Sequence, residues 1–265
     1  MVIVVKAGGR ALQSNMENIA KSLAGLLDQS VVFVHGGGDV VTEYSKRLGI
    51  TPTIVTSPSG IRSRYTDERE LEVYVMTMAG KVNKELVSAV QRYGGKAVGL
   101  SGVDGALLLA ERKKRIIIVD ERGRNRVIPG GYTGSIRSVN TTLLMRILEA
   151  GYLPVVAPLA LGTEGEILNV DGDQAASWVA RSIPAEMLVF LSDVDGVMVG
   201  GKVVERLTPS EALELAKNIG PGMNRKLVLA GEAVNAGVRK ALITSGLGED
   251  PLSRIKTGQG TVVQV

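Results

Sequence analysis

The sequence predicts an α/β protein, a three-layer αβα sandwich around a mainly parallel central sheet. Three observations predict it. Short apolar runs rich in β-branched residues, at 2–5, 31–34, 154–158 and 186–192, read as strands buried on both faces. Segments of helical period alternate with these runs, which is the pattern of parallel strands joined by crossover helices. Glycines follow two of the strands at once, Gly8-Gly9 and Gly36-Gly37-Gly38, so strand ends turn tightly into helix starts.

Composition narrows the possible functions. The 265 residues are enough for one large domain and a sizeable core. There is no cysteine, which excludes disulfides and thiolate metal sites, and His35 is the only histidine, which excludes a multi-histidine zinc site. No apolar run approaches the ~18 residues of a membrane helix, and no secretory leader is recognisable. A cytoplasmic protein is expected, with no membrane partner. Net charge is +4, and residues 111–126 carry seven Lys or Arg against three acids, so this stretch accounts for the whole excess. Such a stretch is either a solvated face or a surface for an anionic partner. With two Phe, six Tyr and one Trp, none of them within it, nucleic acid is not the expected partner.

Taken in order, residues 2–5 form a strand ending at Lys6, and a helix is expected from about Ser14 or Asn15 to Leu27, with Ile19, Leu23, Leu26 and Leu27 on its apolar face. A second strand ends in His35 and the three glycines, and Asp39 is expected to start the next helix. Residues 50–64 read as a strand or hairpin broken by Pro52 and Pro58. A long helix over about 67–93 opens at Asp67, with Glu70 three residues on as in a capping box. Residues 96–100 form a strand, and 107–110, 115–119 and 126–128 read as hairpin material bearing the basic stretch. A helix over 142–150 and the strand at 154–158 follow. Residues 167–173 lead into a helix over 174–181. The strand at 186–192 ends in Ser192-Asp193-Val194. Thr208-Pro209-Ser210-Glu211 is a capping box, Gly220 to Lys226 opens another helix, and strands at 239–245 and 261–264 close the chain. No linker or repeat divides it, so one domain with two lobes is expected.

Several residues carry possible chemistry. Lys6 lies at the carboxyl end of a central strand beside a glycine turn, where open α/β sheets bind ligands. The second glycine turn can point further backbone N–H groups at the same anion. Arg64 can clamp a carboxylate, and Arg62 can do the same or point away. Asp173 is either an ordinary first-turn acid or a group aimed at the sheet edge. Lys226 sits in a helix's first turn, where the macrodipole disfavours a cation, which suggests an anionic partner. Two lysines, two glycine turns, an Arg and an Asp suit phosphoryl transfer, which asks mainly for charge neutralisation and positioning. P-loop, protein-kinase and dinucleotide-binding signatures are all absent from the sequence.

The ordered set Lys6-Ala-Gly-Gly, His35-Gly-Gly-Gly, Arg64 before Thr66-Asp67, Asn169-Val-Asp-Gly-Asp173, Ser192-Asp-Val-Asp-Gly and Gly222-Met-Asn-Arg-Lys226 resembles the amino acid kinase family, within it the N-acetylglutamate kinase branch. The resemblance spans nearly the whole chain. It implies transfer of the ATP γ-phosphoryl to a side-chain carboxylate, with Mg²⁺ bridging the phosphates. It implies that Lys6 and Lys226 stabilise the transition state and that Asp173 positions both. Gly36, Gly37, Gly38, Arg64 and Asn169 would bind the acyl substrate. Gly8, Gly9, Ser192, Asp193 and Val194 would bind the nucleotide. Residues 1–170 would form the acyl-substrate lobe and 171–265 the nucleotide lobe, and a homodimer is expected. The loop at 57–67 and the basic hairpin resemble the members that act on α-aminoadipate or glutamate held by a small acidic carrier protein, LysW, in lysine and sometimes arginine biosynthesis. Arg112, Lys113, Lys114 and Arg115 would then dock the carrier. A kinase of free N-acetylglutamate and a non-catalytic sensor of the same fold are the alternatives.

Overall fold

The computed structural model describes residues 2–26, 29–183 and 185–265, and Leu27, expected in the first helix, lies outside them. An eight-stranded sheet forms the middle layer. Its strands run in the order Arg206–Leu207, Thr261–Gln264, Lys240–Ser245, Met187–Ser192, Val2–Ala7, Ser30–His35, Leu153–Ala157 and Ala97–Ser101. The six from Lys240–Ser245 to Ala97–Ser101 are parallel, and Thr261–Gln264 pairs antiparallel with its neighbour.

The pleat sorts side chains between two cores. Val4, Val32, Val34, Leu188 and Phe190 face the helices Gly172–Ser182 and Met223–Asn235. Ile3, Val5, Val31, Phe33 and Val189 face the helices Gly9–Ala24 and Asn83–Arg92. This is the expected three-layer arrangement, and its period-2 alternation decides where polar strand-end residues go. Lys6 has the parity of Val4 and heads for the Gly172–Ser182 helix. His35 has the parity of Phe33 and heads for the other layer.

Several boundaries differ from expectation. The first helix starts at Gly9, directly after extended Gly8, rather than at Ser14 or Asn15. Asn15 instead breaks it, with φ −144° and ψ 30°. Its side-chain amide donates to the carbonyls of Gly246 and Gly248, at 2.9 and 2.7 Å, and this tie outside the helix competes with helical geometry. The second helix starts at Gly38, so Asp39 lies in its first turn and does not cap it. The long helix begins at Glu68, with Asp67 accepting from the Glu70 N–H, and continues to Arg92 through a π-helical segment, Met76–Val82. Glu70 does not complete a capping box, because its carboxylate turns to Arg64.

Of the three segments expected as hairpin material, 107–110 stands outside the hairpin. Leu108–Arg112 pairs with Gly134–Val139 in a separate four-stranded sheet that also holds Leu159–Gly162 and Ile167–Asn169. The hairpin Arg115–Val119 with Asn125–Pro129 is an excursion between those two partners. The expected hairpin at 50–64 is Thr53–Thr56 paired with Arg62–Tyr65. Among the described residues no helix is long and apolar enough to cross a membrane.

Candidate active site

The parallel strands end on a cleft of about 1050 Å³. Lys6, Gly9, Gly36, Gly37, Gly38, Arg64 and Asn169 all line it, so one wall collects residues spread over most of the sequence. The two glycine turns interleave there. A Cβ on Gly36 would lie 2.7 Å from the Gly9 nitrogen, and one on Gly9 would lie 3.2 Å from the Gly37 nitrogen. Gly36 therefore requires glycine, because backbone meets backbone, and a side chain on Gly9 would crowd the facing turn. The N–H groups of Gly37 and Gly38 find no acceptor among the described residues, so they remain available to a ligand.

Beside the turns lies a buried charge triad. Lys6 Nζ is 2.7 Å from Asp173 Oδ1, and Lys226 Nζ is 3.1 Å from Asp173 Oδ2. Lys6 and Asp173 are 6% and 7% exposed. Burial raises the Asp173 pKa, but the ammonium groups of Lys6 and then Lys226 outweigh it and hold the carboxyl well below the usual carboxylate range. Asp173 is in the first turn of the Gly172–Ser182 helix, which Asp171 caps by accepting from the Gln174 N–H. Lys226 is in the first turn of Met223–Asn235, whose N-cap Gly222 has φ +89°. Two lysines 220 residues apart in sequence thus share one carboxylate.

Arg64 is held rather than free. Its Nη1 donates to Glu70 Oε2 at 3.0 Å, and its Nη2 donates to the Gly38 carbonyl at 3.0 Å and to the Thr42 hydroxyl. Glu70 is 2% exposed, and nothing in the sequence flags this role, because its spacing from Asp67 suits a cap. Asn169 donates to Thr66 Oγ1 at 2.8 Å, which fixes its amide at the cleft.

Gly8, Ser192, Asp193 and Val194 gather at the same sheet edge but do not line the cleft. The Gly8 N–H donates to the Leu191 carbonyl at 3.1 Å, Ser192 Oγ donates to Asp193 Oδ1 at 3.1 Å, and Asp193 pairs with Arg10 at 2.8 Å. The basic stretch is divided. Arg112 turns back on its own chain, donating to the Gly131 carbonyl at 2.6 Å and stacking 4.1 Å over the Tyr132 ring. Lys113 lines the cleft, where burial and then the charge of Arg225 lower its pKa. Lys113, Lys114 and Arg115 all keep exposed surface, and Arg115 lines the cleft as well. Arg225 in turn pairs with Asp171 at 3.2 Å.

His35 is fully buried. Burial lowers its pKa to about 4 against the hydrogen bond to Gly36, and the charges of Lys6 and Lys84 add to the lowering. A buried, neutral imidazole outside the cleft lining leaves a site without a histidine base. The arrangement can seat an anion between two ammonium groups and backbone donors, with an arginine and an amide for a second polar ligand.

Comparison with known proteins agrees with this chemistry. The model of the amino acid kinase family matches residues 1–245. A Saccharolobus islandicus protein named LysW-aminoadipate/LysW-glutamate kinase is 52% identical over 263 residues, covering 99% of each chain. A Sulfurisphaera tokodaii protein of the same name is 51% identical, covering 99% of this chain and 100% of its own. Among solved structures, N-acetylglutamate synthase from Neisseria gonorrhoeae, complexed with coenzyme A and N-acetyl-glutamate, superposes with TM-score 0.81 and 26% identity. It covers 100% of this chain and 59% of that one. A Streptococcus mutans protein, smu.665, superposes with TM-score 0.78 and 25% identity, covering 99% and 98%.

Proposed function

Given that the chain belongs to the amino acid kinase family, we propose that it transfers the γ-phosphoryl of ATP to the side-chain carboxylate of α-aminoadipate or glutamate carried on LysW, giving an acyl phosphate for lysine or arginine biosynthesis. The observation that supports this best is the Lys6–Asp173–Lys226 triad set beside two interleaved glycine turns. The relatives' names supply the carrier and its acyl groups.

In this reading the carboxylate nucleophile is already ionised near neutral pH, so no base is needed. One of its oxygens bonds to the γ-phosphorus as the bond to the β–γ bridging oxygen breaks, and ADP leaves with that electron pair. Lys6 and Lys226 take the negative charge spread over the moving phosphoryl and the leaving oxygen. Asp173 holds both ammonium groups in place. The N–H groups of Gly37, Gly38 and Gly9 receive phosphoryl and acyl oxygens. Arg64 takes the α-carboxylate and Asn169 the amide that joins substrate to carrier. Gly8, Ser192, Asp193 and Val194 flank the nucleotide.

Mg²⁺ belongs to this reading as a companion of the nucleotide. Among the described residues there is no group of three His, Asp or Glu able to cage a metal, and both Asp173 oxygens face lysines. The donor set thus fits a cation held by the phosphates, which would add charge neutralisation there. Residues 1–170 form the acyl lobe and 171–265 the nucleotide lobe of a cytoplasmic enzyme. Lys114 offers the carrier its docking charge, while Lys113 and Arg115 reach the cleft itself. The homodimer joins through the outer strand Ala97–Ser101, beside an apolar surface of Val98, Ile147, Ala150 and Tyr152.

Hydroxylamine trapping tests the reaction. ATP with carrier-bound aminoadipate or glutamate yields hydroxamate, and Lys6→Ala and Lys226→Ala each lower kcat more than they raise KM. Hydroxamate from free N-acetylglutamate but not from the carrier would move the substrate to the free amino acid. No ATP-dependent hydroxamate from any acidic substrate would leave a sensor.

A further inference from the structure

We propose that His35 is a positioning residue that aims the Gly37 N–H at the phosphoryl group, acting through the carbonyl of Gly36. The proposal rests on the phosphoryl-transfer reading above and assigns a residue that the reading leaves idle.

The hydrogen bonds around His35 admit one tautomer. Nδ1 lies 3.0 Å from the Gly36 carbonyl oxygen, and Nε2 lies 3.2 Å from Asn83 Nδ2. The orientation of the Asn83 amide is fixed from both ends. Its Nδ2 donates to the Val155 carbonyl at 2.9 Å and lies 3.4 Å from the Leu100 carbonyl, farther than from Nε2, and its Oδ1 accepts from Lys84 Nζ at 3.1 Å. Asn83 therefore donates to Nε2, Nε2 carries no proton, and Nδ1–H donates to Gly36. The pKa of about 4 keeps this neutral form near neutral pH.

The consequence passes through one peptide unit. The Gly36 carbonyl and the Gly37 N–H belong to the same planar trans peptide, so they point in opposite directions. Holding the carbonyl towards the buried ring turns the N–H towards Gly9 and the cleft. The Gly37 nitrogen stands 3.2 Å from the point a Cβ on Gly9 would occupy. Three successive glycines have little backbone preference of their own. Without a lock, the Gly36–Gly37 plane is free to rotate and the donor is lost from the site. Asn83 sits where the π-helical segment ends, anchored to a neighbouring strand, so it is a firm support for the ring.

Because His35 is the sole histidine, its ring nitrogens can be read without assignment in the ¹⁵N-imidazole-labelled full-length protein. The expected result at neutral pH is the Nδ1–H tautomer, against the Nε2–H form that free imidazole side chains prefer. Two variants separate positioning from packing. An asparagine amide nitrogen overlays Nδ1 and a glutamine amide nitrogen overlays Nε2, so His35→Asn retains most of kcat, while His35→Gln loses about a hundredfold, the scale of one lost oxyanion donor. KM for ATP stays close to wild type in both. An Nε2–H tautomer in the wild type, or equal kcat in the two variants, overturns the proposal. Should the variants fail to fold, the wild-type tautomer decides. A wild type that forms no hydroxamate overturns the kinase reading instead, and the tautomer measurement is independent of that outcome.

Discussion

At the scale of single residues, the site depends on Asp173 holding two ammonium groups that would otherwise repel. Asp173→Asn removes the counter-charge and leaves both lysines part-buried and uncompensated. It is expected to lower stability by about 3–5 kcal/mol in urea unfolding, the usual result of breaking a buried pair from one side. It also lowers kcat by about a hundredfold or more. Unchanged turnover would take Asp173 out of the mechanism. Two buried groups, His35 and Asp173, shape the acid limb. Both have depressed pKa values in the fold, so each contributes stability above its unfolded pKa and loses it as pH falls. For His35 the window runs from 6.5 down to about 4, and the loss amounts to about 3 kcal/mol at ~1.4 kcal/mol per unit. For Asp173 the loss begins only below about pH 4. Urea midpoints followed by the fluorescence of Trp178, the only tryptophan, should fall through the first window in wild type and stay flat there in His35→Asn. The motif glycines and Lys6 were legible because their chemistry is local. Glu70 and Asn83 were not, since each acts on a residue brought near only by folding, Arg64 and His35.

At the scale of elements, the buried strands and the caps at Asp67 and Thr208 followed from pattern, and the misplaced helix starts have causes that lie outside the element. The first helix starts early because Gly8 and Gly9 form its N-terminus, and Asn15 answers to Gly246 and Gly248. The strand Leu108–Arg112 lies next in sequence to a hairpin, but its partner is Gly134–Val139 on the far side of that hairpin. This matters for the basic stretch. Of its four central residues, Arg112 lies over Tyr132 and Lys113 and Arg115 line the cleft, so only Lys114 presents its charge away from both. Lys114→Glu should raise KM for a carrier-borne substrate about threefold at low salt, an effect that shrinks as salt rises. Turnover of a small free substrate should not respond. Equal behaviour of the two substrates would reduce the hairpin to a solvated face.

At the scale of the whole molecule, the sheet ends at Ala97–Ser101, and the surface beside it exposes Tyr152 at 47%. An uncovered edge next to apolar side chains invites a second chain. Sedimentation at micromolar concentration is expected to give the mass of two chains, and Ile147→Glu with Tyr152→Glu to give that of one. A monomeric wild type would remove the proposed contact.

The layered α/β class, the succession of buried strands, and the lysines and glycine turns at their ends are written into the order of residues, because they follow from side-chain period and local backbone freedom. Which groups meet is settled by folding. Whether Lys6 and Lys226 share a carboxylate, whether Arg64 is free or clamped by Glu70, and which peptide plane His35 holds all depend on strand order and sheet parity. Those are set by packing among segments far apart along the chain, and no local pattern records them.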